Sequence, residues 1–116
     1  MPLEVLDLAK RIAEAAADKQ ASDVVLLDTR KVCSFADYFV ICSGESERQI
    51  EAIGEAVAKV LAEEAVSLYH REGNASSGWV LLDLGDIIVH VFSQFEREYY
   101  QLEKLWSKAA VVVEIM

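Results

Sequence analysis

The side chains able to do chemistry fall into a few small groups. Ser43-Gly44 stands between an apolar run at 38–42 and a helical pattern that opens at Ser46. A strand feeding a helix through such a turn can offer backbone N–H groups to a phosphate. Nucleotidyl or phosphoryl transfer also needs paired carboxylates to hold Mg²⁺. The strand after that helix reads as 66–71, Val-Ser-Leu-Tyr-His-Arg, and carries none. Asp83 and Asp86 flank Leu84-Gly85, where aspartate as a turn former is the simpler account. The loop is too short for a Walker motif. His70 and His90 lack zinc spacing, and no Ser-His-Asp arrangement is visible. Cys33 and Cys42 form no CxxC pair and sit in apolar settings, so they read as small buried hydrophobes. No catalytic residue, metal or cofactor is expected.

Recognition chemistry is more visible than catalysis. Alternation along 79–83 and 86–92 separates two faces of a hairpin. Val80, Leu82, Ile87, Val89 and Val91 make one wholly apolar face, which must pack against helices. The other holds Trp79, Leu81, Asp83, Asp86, Ile88, His90 and Phe92. Aromatics with a polar fringe suit a protein-docking patch; cover by a helix would make the same face core. A two-residue turn at Leu84-Gly85 would put Trp79 directly opposite His90, although Leu-Gly is not a favoured hairpin pair. Phe95, Tyr99, Leu102 and Trp106 share one stripe of a last helix and read as core, which leaves Tyr100, off the stripe, as the better contact residue.

These residues need a scaffold. Positions 2–18 read as a helix with Leu6, Ala9, Ile12, Ala13 and Ala16 on one face and Asp7–Arg11 as an i,i+4 pair. Strands are expected at 23–28 and 38–42, the second apolar on both faces and hence central. Ser46 and Gln49 fit a capping box opening a helix to about Glu64 that buries Ile50, Ile53, Val57, Val60 and Leu61. The strand at 66–71 and a turn-rich loop at 73–78 lead into the hairpin. Ser93 and Glu96 form a second capping box, and 111–115 suits a short edge strand. The order predicts an α+β domain spanning 1–116, a mixed sheet with helices packed on it.

The 116 residues are 53% hydrophobic, enough for a core without disulfides or metal. No apolar run approaches the roughly 18 residues of a membrane span. Charges at Glu4, Asp7, Lys10 and Arg11 argue against a signal peptide, so a cytoplasmic location is expected. The net charge of −9 excludes nucleic-acid binding through a broad basic face; it would steer the chain toward a basic partner, but charge alone is accounted for more simply by solubility.

Two separated blocks resemble the signatures of the ribosomal silencing factors, also called the Iojap family. The first is Asp37-Tyr38-Phe39-Val40, Ser43-Gly44, and Ser46 with Arg48-Gln49. The second is Trp79, Leu81-Leu82-Asp83, Gly85-Asp86, Val89-His90-Val91-Phe92, Arg97, Tyr100, Leu102-Glu103 and Leu105-Trp106. The likeness covers about 23–106 with order and spacing kept. It implies a fold similar to nucleotidyltransferases without their activity, and a homodimer. It also implies binding to the large ribosomal subunit at its protein fourteen, so that subunits cannot join and translation is repressed when nutrients are scarce. Trp79, Asp83, Asp86, His90, Phe92, Arg97 and Tyr100 are the expected partner-binding residues. Asp37, Ser43, Gly44, Ser46, Arg48 and Gln49 are the structural motif. Glu45 and Glu47 depart from the small polar residues the family often carries there, which disfavours an anion beside Ser46. The alternatives are an active nucleotidyltransferase-like enzyme and a homodimerisation module that does not bind the ribosome.

Overall fold

The computed structural model describes residues 4–32, 34, 36–100 and 109–115. In chain order the elements are α1 (Val5–Asp18), β1 (Ser22–Asp28), β2 (Tyr38–Gly44), α2 (Glu47–Glu63), β3 (His70–Asn74), β4 (Trp79–Asp83), β5 (Ile87–Ser93), α3 (Gln94–Tyr100) and β6 (Ala110–Ile115). A 3₁₀ turn, Ala75–Ser77, joins β3 to β4. The strands form one mixed sheet in the order β3-β4-β5-β2-β1-β6. β2 and β5 run parallel; the other neighbours are antiparallel. The expected α+β class, with helices packed on a mixed sheet, is what the chain forms.

β2 lies inside the sheet because its side chains are apolar on both faces, and every residue of it is buried. On one face α1 buries Leu8, Ala9, Ile12, Ala13 and Ala16, and α2 buries Ile50, Ile53, Val57, Val60 and Leu61. They close over Val24, Leu26, Val40, Val80, Leu82, Val89 and Val91. Each such side chain contributes about 1.5–3 kcal/mol when withdrawn from water. The alanines of α1 let it lie close to sheet and helix alike. Gly44 has a similar role at the end of β2: a Cβ there would stand 2.8 Å from Ile50 Cγ1, so only glycine lets α2 start so near the strand.

Gln49 does more than an N3 capping residue usually does. Its backbone N–H donates to Ser46 Oγ at 3.1 Å, as expected, but its side-chain oxygen accepts from Glu45 N–H rather than Ser46 N–H. Its amide group donates to the carbonyls of Lys19 and Gln20, which ties the start of α2 to the turn after α1.

Three local expectations are corrected. Arg11 turns away from Asp7 and pairs with Glu63 at the end of α2, at 2.8 Å, and with Glu64, which caps that helix. A partner across two packed helices crosslinks them, which a pair along one helix cannot do. Next, the strand expected at 66–71 starts only at His70 and runs through Asn74. Val66 N–H instead donates to Leu61 O, closing α2 through Ala65 at φ +55°. All five residues of β3 are exposed, so no apolar pattern marks it; backbone pairing to β4 makes it a strand. Finally, the hairpin turns at Gly85-Asp86, one residue later than expected. Gly85 at φ +91° supplies the positive φ that the first central position of a type II′ turn demands. Trp79 therefore faces Phe92, and Leu81 faces His90.

Candidate functional site on the mixed face of the hairpin

The face of the sheet opposite α1 and α2 carries its own cluster. Val25, Leu27, Phe39, Ile41, Ile88 and Phe92 are buried, with Trp79 and Leu81 packed at its edge. Four rings meet there. Trp79 stacks on Phe92 at 5.1 Å between centroids, and His90 lies parallel to Phe92 at 5.9 Å and tilted against Phe39 at 5.0 Å. Although Trp79 is diagonal to His90 in the register, its indole Nε1–H donates to His90 Nδ1 at 3.2 Å. Diagonal neighbours are within reach for aromatic side chains.

That bond fixes the tautomer: with Nδ1 accepting, neutral His90 carries its proton on Nε2. Nε2 is buried and finds no hydrogen-bond partner among the described residues. Burial pulls the imidazole down from 6.5 to about 4. His90 is only 4% exposed and Phe92 is fully buried. Both were expected to contact a partner; both are buried, and they underlie the mixed face of the hairpin from within. Trp79, half-buried, is the ring of this set that reaches the surface.

The other expected contact residues divide in the same way. Asp83 Oδ1 accepts from Gly85 N–H at 2.8 Å and so builds the hairpin turn. The backbone carbonyl of Asp86 accepts from the N–H groups of Asp37 and Tyr38, pinning the turn to the start of β2, while Asp86 itself is exposed. Arg97 is committed to the scaffold. Its guanidinium donates to Asp23 O at 2.6 Å and to Ser43 Oγ at 3.0 Å. Asp23, at φ +49°, sits in the bulge where the β1–β2 register shifts, so Arg97 clasps that bulge to the buried Ser43 of the central strand. Arg97→Ala is expected to cost about 1.5–3 kcal/mol, the range for hydrogen bonds to a charged group. A urea midpoint unchanged from the parent would show that the clasp contributes nothing. Arg48 is exposed on the first turn of α2. The side chain of Tyr100, together with Leu102, Trp106 and Cys33, lies outside the described residues. Cys42 is buried, and desolvation pushes its thiol up to about 12, as suits a core residue.

The described part of the stripe expected as core behaves differently. Phe95 and Tyr99 are 73% and 72% exposed and stack on each other at 6.4 Å. Their i,i+4 spacing marks a shared helix face and says nothing about what that face meets. The sequence also gave no sign of a recess beside Trp79, bordered by Glu72 and Glu96. Glu96 reads as a capping residue, and Ser93 Oγ does accept its N–H at 3.2 Å. The return bond is missing because Ser93 N–H is already used by Gly78 O. The Glu96 side chain is left at the surface.

At the start of α2 an open cleft is bordered by Glu45, Glu47 and Glu96 among Ser46, Ser77 and Ser93. Carboxylates at this spot oppose a phosphate. Among the described residues no group of three or more His, Cys, Asp or Glu is placed to hold a metal ion. No helix among them is long and apolar enough to cross a membrane.

Comparison with known proteins gives a consistent result. The family model described as "Ribosomal silencing factor during starvation" matches residues 2–115. Ribosomal silencing factor RsfS of Halalkalibacterium halodurans is 45% identical over 109 residues, 94% of this chain and 91% of that protein. Its counterpart in Bacillus subtilis is 43% identical over 102 residues, 88% of this chain and 86% of that one. A chloroplastic Iojap protein of Zea mays is 30% identical over 109 residues, 94% of this chain but 47% of its own length. A crystal structure of a Chromobacterium violaceum protein superposes with a TM-score of 0.86 at 35% identity, covering 96% of this chain and 94% of that one. On the match over 2–115, the identities to these relatives and the shared fold, the chain belongs to the ribosomal silencing factor family.

Proposed function

We propose that this chain docks on the large ribosomal subunit through the outer part of its hairpin face, engages the basic large-subunit protein fourteen, and blocks the small subunit from joining by occupying its place. Family membership across 2–115 is the observation that carries the reading. Two features of the chain support it: a net charge of −9 suits a basic partner, and Trp79, with Glu72 and Glu96 bordering the recess beside it, offers an aromatic anchor with an acidic fringe. On this reading the protein works in the cytoplasm as a repressor of translation under nutrient limitation, forms a homodimer when free, and catalyses nothing.

Steric blocking is stoichiometric. Titrating the protein into a mixture of small and large subunits should abolish joining near one protein per large subunit, with no nucleotide added. Light scattering or gradient sedimentation reads the result. Inhibition that needs a nucleotide, or that saturates far below one protein per large subunit, overturns the reading.

The anchor can be tested separately. Trp79→Ala should weaken binding to purified large subunits by about 2 kcal/mol or more, the usual cost of losing a central aromatic contact. Circular dichroism should show that the variant keeps its fold. Unchanged affinity would move the docking face elsewhere.

A further inference from the structure

A recess of about 240 Å³ opens at the outer flank of the hairpin face. Its lining comes from separate elements: Glu72 and Gly73 of β3, Ser77 of the 3₁₀ turn, Trp79 and Leu81 of β4, and Glu96 of α3. A single water takes about 30 Å³ in the liquid, so there is room for one long side chain. Glu72 stands directly opposite Leu81 in the β3–β4 register, and Leu81 directly opposite His90. The recess is therefore the continuation of the aromatic face toward the sheet edge.

The lining is chemically lopsided. Among the described residues it holds two carboxylates from elements far apart in sequence, an indole and a leucine, and no cationic side chain. Glu72 meets His70 at 2.9 Å along its own exposed strand. Ser77 Oγ is held by the carbonyls of Asn74 and Trp79, so the hydroxyl fixes the 3₁₀ turn. The Trp79 indole is held in place by its bond to the buried His90. An occupant must bring positive charge, several donors and an apolar stem. Lysine brings a compact point charge; arginine brings a planar fork of donors, which can serve carboxylates on two walls, and a stem that packs on leucine and indole.

We propose that this recess receives an arginine side chain presented by the basic protein on which the chain docks. The proposal rests on the docking reading above and adds the chemistry of one contact at the edge of that surface.

Two measurements test it. In the first, the ¹⁵N-labelled full chain is titrated with N-acetyl-arginine amide and, as the uncharged isostere, N-acetyl-citrulline amide. The arginine compound should shift the amide signals of Gly73, Ser77 and Leu81 and the Trp79 indole N–H. The citrulline compound should not, and the double variant Glu72→Gln, Glu96→Gln should lose the response. In the second, that double variant should bind purified large subunits about ten-fold more weakly, as expected for losing a charge-assisted contact. Both carboxylates lie at the surface and the exchange is isosteric, so thermal melting should match the parent. Equal shifts from the two compounds, shifts away from the recess, or variant affinity within about two-fold of the parent each overturn the proposal. If the parent does not bind large subunits, the docking reading fails, and the recess stands or falls on the arginine-specific shifts.

Discussion

Phe92→Ala should destabilise the protein by about 3–5 kcal/mol, whereas Phe95→Ala should change stability by less than about 0.5 kcal/mol. The residues are identical and three positions apart, so intrinsic hydrophobicity cannot separate them. Phe92 is fully buried, stacked on Trp79 and parallel to His90, and removing its ring leaves a cavity that the fixed β-sheet cannot close. Phe95 is 73% exposed, and its ring stacks on that of Tyr99. A domain of this size is held by about 5–15 kcal/mol in all, so the first variant should be partly unfolded at moderate temperature. Urea midpoints of the two variants and the parent check this. Equal losses would mean that α3 is packed as its stripe alone suggests. A negligible loss at Phe92 would remove the aromatic cluster as a structural unit.

Acidification should weaken the fold through His90. Its imidazole falls from 6.5 in the unfolded chain to about 4 in the folded protein because burial opposes charge. Between those values the unfolded chain binds the extra proton, so stability is fully present above pH 6.5 and is lost as pH falls toward 4. From pH 7 to pH 5 this one group should remove about 2 kcal/mol, and about 3 kcal/mol once pH is below both values. Geometry points the same way. Protonation would place an N–H on Nδ1 facing the Trp79 indole N–H, replacing a hydrogen bond with two opposed donors. His90→Gln keeps an acceptor for Trp79 and does not titrate. The stability difference between the parent and this variant should therefore shrink by about 2 kcal/mol between pH 7 and pH 5. A constant difference would show that His90 reaches water when the protein breathes. Carboxylates titrate in the same region, but they are common to both proteins and cancel in the comparison.

These predictions rest on parts of the molecule that were unequally legible in the chain. Central β2, the apolar stripes of α1 and α2, the capping Ser46 and the two faces of the hairpin follow from periods of 2 and 3.6 and from local hydrogen-bonding residues. Each of these is decided by neighbours within a few positions, so each can be read off the sequence. The family signatures belong with them, because order and spacing survive in the linear chain. What tertiary structure alone decided is where each face ends up and which partner each polar group finds. Arg11 crosslinks helices that are far apart in sequence, and Arg97 closes over a bulge in β1. β3, with no buried residue, exists only because β4 offers it a ladder. The hairpin register slipped from the expected one because a single φ at Gly85 sets it, and hydrophobic alternation is unchanged by a shift of two. Phe92 and Phe95 exchanged their expected places for the same reason: periodicity tells which residues travel together, while burial depends on what else the fold brings to that side.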